Sequence, residues 1–242
     1  MKYRAFVIVV LMLVSCAVSA RGISYGLKAG LYTANTTEIP AGWSNTSFRN
    51  GFAGGLCVSY ATSDWFSLQP EVLYVTKGFD GIAARGLSAT NYEGSFSYVE
   101  IPILARYTVQ TKGRARPYFF FGPSIGINLR ANVDVERTDP RTHQTATGSM
   151  DYSDVMSRTE FGLAFGAGCA VVVGPGAITF DGRIDLGLSK TFSDGAVSGD
   201  IGGSRMTSNV YAGNSKNIGF ALLVGYELSR NGAPPRHPES DR

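Results

Sequence analysis

Residues 97–109, SYVEIPILARYTV, decide the fold. Taken two at a time, Val99, Ile101, Ile103, Ala105 and Tyr107 share one face, while Tyr98, Glu100, Pro102, Leu104 and Arg106 share the other. Alternation sustained over about ten residues is a strand signal, because side chains on a strand switch sides at every residue. One face of this strand is apolar and the other carries opposite charges. The reading turns on which medium each face meets.

Seven further segments repeat the pattern. Residues 23–33 set Ile23, Tyr25, Leu27 and Leu31 against Gly26, Lys28 and Gly30, and residues 51–61 set Phe52, Leu56, Val58 and Tyr60 against Ala53, Gly55, Cys57 and Ser59. In 66–79, Leu68, Pro70, Val72 and Tyr74 oppose Gln69, Glu71, Leu73 and Lys77. In 117–130, Phe119, Phe121, Ile125, Ile127 and Leu129 oppose Gly122, Ser124, Gly126, Asn128 and Arg130. In 158–173, Phe161, Leu163, Phe165 and Val171 oppose Glu160, Gly162, Gly166 and Gly168. Residues 178–192 place Phe180, Ile184, Leu186 and Leu188 opposite Asp181, Arg183, Asp185 and Ser189. Residues 216–228 place Ile218, Phe220, Leu222, Val224 and Tyr226 opposite Asn217, Gly219, Gly225 and Glu227.

The connections alternate in length. Residues 62–65, 110–116 and 174–177 are short; 35–50, 80–96, 131–157 and 193–215 are long and rich in Gly, Ser, Thr, Asn and Asp. Short turns at one end and long loops at the other are the habit of a transmembrane barrel, with periplasmic turns and extracellular loops. The predicted fold is therefore all-β, an eight-stranded antiparallel up-and-down transmembrane β-barrel with both termini at the short-turn end. The composition of the long loops predicts solvated, mobile segments.

Alternation alone would also fit a soluble barrel with its apolar face inward. Three features favour the inverted arrangement. Aromatic residues gather toward the ends of the apolar faces (Tyr25, Tyr60, Tyr74, Tyr107, Phe119, Phe161, Tyr226), where interfacial girdles belong. The polar faces are mainly Gly, Ala and Ser, whereas water-facing surfaces carry more Lys and Glu. Their charges also nearly cancel: Lys28, Lys77, Arg106, Arg130 and Arg183 face Glu71, Glu100, Glu160, Asp181, Asp185 and Glu227. An eight-stranded barrel is just wide enough for side chains to fill it, and buried charges are tolerated when paired. These residues are read as an interior charge network; a proton or solute path is the alternative.

YGLKAG, SLQPEVLYVTKG, YVEIPILARY, PYFFFGPSIGINL, FGLAFGAG and NIGFALLVGYEL, in that order, resemble the PorT-type outer-membrane β-barrel family of Bacteroidetes. The likeness is sharpest at Gln69-Pro70-Glu71 followed by Lys77-Gly78, and at Glu100-Ile101-Pro102. It implies a small outer-membrane barrel, and through the founding member it implies an association with protein secretion. Such barrels commonly end on an aromatic strand signal; here Tyr226 and Leu228 are followed by a polar tail with Pro234, Pro235 and Pro238.

The chain divides into a signal peptide, 1–20, a barrel, 21–228, and a disordered tail, 229–242. Lys2 and Arg4, the apolar run 5–14 and Val18-Ser19-Ala20 have the form of a cleaved export signal; Leu13-Val14-Ser15-Cys16 gives a competing lipoprotein reading in which Cys16 is acylated. The basic residues do not cluster as in a nucleic-acid binder. Cys57 and Cys169 point to opposite faces, which argues against a disulfide, and no Cys/His cluster has metal-ligand spacing. The acidic loop residues Asp134, Glu136, Asp139, Asp151 and Asp154 match no cation-loop motif. No cofactor is predicted.

The function expected is that of a filled barrel acting as a structural or interaction protein of the cell envelope through its loops. Its partners would be outer-membrane lipid and another envelope protein. A small porin or translocation component is one alternative. The other is a lipid-modifying enzyme, which would need His143 beside a fixed Ser and an acid; Thr142, Gln144 and Thr145 offer no such arrangement. The chain is accordingly read as not an enzyme.

Overall fold

In the computed structural model the described residues are 22–37, 44–85, 88–138, 144–210 and 213–229. They form the strands β1 (Gly22–Thr37), β2 (Ser44–Ala61), β3 (Phe66–Arg85), β4 (Ser88–Thr108), β5 (Ala115–Thr138), β6 (Thr145–Asp151), β7 (Thr159–Val173), β8 (Gly176–Gly187), β9 (Gly195–Ile201), β10 (Ser204–Val210) and β11 (Lys216–Ser229). The expectations for the leader, Cys16, Asp139, His143 and residues 230–242 lie outside the described residues.

Eight strands make a closed antiparallel ring in the order β1-β2-β3-β4-β5-β7-β8-β11, which returns to β1. Closure is made by β1 against β11, from Ser24↔Ser229 to Thr37↔Lys216. Ser229, placed in the tail by the sequence reading, is thus the last rung of this ladder. Closure leaves no unpaired edge in the wall.

Side chains settle the orientation. Leu31 is 71% exposed, Phe121 68% and Leu222 68%, and every strand of the ring carries outward apolar residues of this kind. Proteins in water rarely expose an apolar patch beyond a few hundred Å²; a belt around a whole barrel belongs against acyl chains. At the short-turn end Tyr25, Trp65, Tyr107 and Tyr226 remain exposed, with Trp65 and Tyr107 in ring contact at 5.7 Å between centroids.

The long connections differ from expectation. Their described residues are largely paired strand. β3 and β4 run past the ring as a hairpin to the pair Arg85↔Ser88. β5 leaves β7 beyond Ile127 and pairs instead with β6, from Asn132↔Asp151 to Thr138↔Thr145. β9 then adds to β6, and β10 to β9. This extension of the sheet, the cap, has a core of its own: Phe79 and Phe96 from the long hairpin meet Val133, Met150, Tyr152, Val155, Phe192 and Val197. Gly, Ser and Thr alternate there with apolar residues on the hidden face, so the polar composition describes only half of each strand.

A β-bulge on β5 lies where the sheet passes from the ring into the cap. Ser97 pairs with Arg130 but Tyr98 pairs with Asn128, so Leu129 is an extra residue on β5. The insertion reverses the alternation: Leu129 and Arg130 are both exposed, and Ala131, Val133 and Val135 then turn inward. The shift converts an outward apolar series into the inward lining of the cap.

Candidate functional site

The bore of the barrel contains the one concentration of buried charge among the described residues. Parity along each strand places these groups inward, since each lies one position out of step with the lipid-facing apolar residues. Lys28, Glu71, Lys77, Glu100, Arg106, Glu160, Asp181, Arg183 and Asp185 are all buried there, together with Glu227. Arg130 is not among them. The bulge at Leu129 places it on the outer face, where its guanidinium lies within hydrogen-bond reach of the Asn132 amide.

Toward the short-turn end, Arg106 on β4 reaches across the bore to Glu227 on β11 at 3.0 and 3.1 Å and donates to Gln69 Oε1 at 2.9 Å. Its guanidinium stacks 3.6 Å from the centre of the Tyr118 ring. The Tyr118 hydroxyl donates in turn to Asp181. In the middle, Lys28 on β1 bridges Glu71 on β3 at 2.9 Å and Asp181 on β8 at 2.5 Å. Arg183 meets the other oxygen of Glu71 at 2.5 Å, and Gln69 Nε2 donates to the first at 2.7 Å. Glu71 on β3 therefore ties two cations, one from β1 and one from β8.

Nearer the cap, Lys77 pairs with Glu100 at 2.6 Å and Glu160 at 3.4 Å and sits 4.6 Å over the Tyr98 ring. Asn217 donates to Glu160 Oε2 at 3.0 Å and accepts from Thr36 at 2.8 Å. Above this level the bore is closed by Phe79, Phe96, Tyr98 and Phe192. A cavity of 150 Å³ lined by Ser59, Ser67, Arg106 and Glu227 forms a vestibule at the short-turn mouth, and the charge level under the cap has a cavity of only 20 Å³.

Sequence reasoning assigned no role to Tyr32, Tyr118, Gln69 or Asn217, although each shares the parity of the charged residues on its strand. Their signal was position, not type. Cys57 is buried and Cys169 half-buried, both as free thiols. Among the described residues no group of three His, Cys, Asp or Glu is placed to hold a metal ion. Asp134, Glu136, Asp151 and Asp154 are exposed on the cap.

This geometry defines a class: a closed β-barrel with a lipid-facing exterior and a charged, occluded bore. Residues 15–193 match the family model described as outer membrane protein beta-barrel domain, and the chain belongs to that family. Its place is the bacterial outer membrane, with the apolar belt in contact with lipid and the long hairpins extracellular. A major outer membrane protein from Thermus thermophilus shares the fold with a TM-score of 0.50 and 11% identity, over 85% of this chain and 99% of that one. OprG from Pseudomonas aeruginosa aligns with a TM-score of 0.47 and 12% identity over 87% of this chain and 96% of that one. Neisserial surface protein A aligns at 0.43 and 14% identity over 85% and 96%. A search of curated proteins finds no match.

Proposed function

We propose that this protein is a non-conducting outer-membrane barrel that acts as a structural or interaction component of the envelope, presenting the ordered sheet of β6, β9 and β10 outside the cell. The observation that carries this reading is the set of ion pairs that cross the bore. Arg106–Glu227, Lys28–Asp181 and Lys77–Glu160 each join strands that are not neighbours in the same hairpin, and an aromatic cap lies above them. A solute would have to break several buried pairs to pass. The reading assigns no catalytic activity; its partner is a second envelope protein at the cap. The motif order shared with PorT-type barrels supports membership of that narrower group, but the shared residues are wall-building ones and assign no secretion role.

Single-channel recording in planar bilayers tests the reading. The occluded bore gives no steady conductance. Reproducible open steps from the wild-type barrel would return the protein to the porins.

A further inference from the structure

The buried charge is unevenly divided. Among the described residues four buried cations, Lys28, Lys77, Arg106 and Arg183, face six buried carboxylates, Glu71, Glu100, Glu160, Asp181, Asp185 and Glu227. In the two levels nearer the short-turn end, Lys28, Arg106 and Arg183 are matched by Glu71, Asp181 and Glu227. Under the cap, Lys77 is paired with both Glu100 and Glu160, and Asp185 has no ion pair among the described residues, so the excess of negative charge collects there. Asp185 has a hydrogen bond with Tyr32 and the fields of Arg183 and Lys77, and those two cations are themselves bound to other carboxylates. Among the described residues the titratable groups facing the site are Tyr32 from β1, Lys77 from β3, Tyr98 and Glu100 from β4, Glu160 from β7, and Arg183 and Asp185 from β8.

Two carboxylate oxygens here, Glu160 Oε1 and Asp185 Oδ2, are buried without a hydrogen-bond partner among the described residues. Both residues line the 20 Å³ cavity, which has room for one water-sized guest. Buried acceptors without partners are rare and costly, and buried carboxylates in excess of their cations are more so. A guest bearing positive charge relieves both. A divalent ion would need six or more oxygen ligands, and no three-carboxylate group is placed for one among the described residues.

We propose that this cluster is a binding site for a small monovalent cation, a proton or an alkali-metal ion, taken up at Glu160 Oε1 and Asp185 Oδ2 beneath the cap. Such a guest binds the folded barrel and not the open chain, so it stabilises the fold by mass action. A bound proton is lost as pH rises, and stability falls with it.

The test is the melting temperature of the full barrel, refolded in detergent and followed by near-UV circular dichroism. One series raises pH from 5.5 to 9 in choline chloride; another replaces choline by sodium or potassium at fixed ionic strength and high pH. A proton site lowers the melting temperature by several degrees across the first series. An alkali site raises it by a similar amount across the second. Asp185→Asn removes the response while melting no lower than wild type at high pH, and Glu160→Gln serves the same purpose should the first variant not fold. A wild-type barrel indifferent to both series overturns the proposal, as does a response that persists unchanged in these variants.

Discussion

Glu71 and Glu100 are both buried acids facing a lysine, yet they hold different positions in the network. Glu71 is the common acceptor of Lys28 and Arg183, so Glu71→Ala leaves Lys28 with Asp181 and leaves Arg183 with no ion pair among the described residues. Loss of one partner from a buried pair is worth about 3–5 kcal/mol. Glu100→Ala leaves Lys77 with Glu160 at 3.4 Å and relieves the local excess of negative charge, so it destabilises far less. Denaturant titration of the two variants in lipid vesicles compares them directly; equal losses would contradict the division of charge described above. On the cap, the Ser153 hydroxyl and backbone N–H hold the Asp151 carboxyl below the ordinary carboxylate range. The contribution of Asp151 is therefore present above its unfolded value and is lost as pH falls through the folded one. Ser153→Ala returns the Asp151 titration, followed by NMR, toward the ordinary range; an unmoved midpoint would show that another group sets it.

Among the elements, the strands of the ring were legible because each keeps strict parity across the lipid belt. Parity fails where a bulge intervenes, and nothing in NLRANV marks Leu129 as an extra residue. That is why Arg130 is read inward from sequence and found outward, and why Val133 and Val135 pass for loop. Deleting Leu129 restores continuous alternation and turns Ala131, Val133 and Val135 away from the cap core. The ring should still fold, with a normal heat-dependent gel shift, while residues 131–157 become sensitive to protease. Protection equal to wild type would show that the bulge does not set the cap's facing. The β9–β10 hairpin had a local signal that composition obscured. Gly202 and Gly203 have φ of 59° and 80°, the left-handed pair that a two-residue turn requires. Gly203→Ala costs about 1–2 kcal/mol of cap stability, the penalty for an L residue in that region.

At the scale of the whole molecule, the wall and the filling of the barrel follow from one pattern. Outward apolar residues meet lipid, and inward charges meet each other across a bore too narrow for much else. The charged filling was readable because it shares the strands' parity; the cap was not, because it depends on pairing among β5, β6, β9 and β10 at long range in the chain. The most direct test of the arrangement is a nitroxide label placed in turn at Leu31, Phe121 and Leu222, in a background with native cysteines changed to alanine, and read in lipid vesicles by its accessibility to oxygen and to a water-soluble nickel chelate. All three labels are expected to be open to oxygen and shielded from the chelate. Labels reached freely by the chelate and poorly by oxygen would mean that the apolar faces do not meet the membrane.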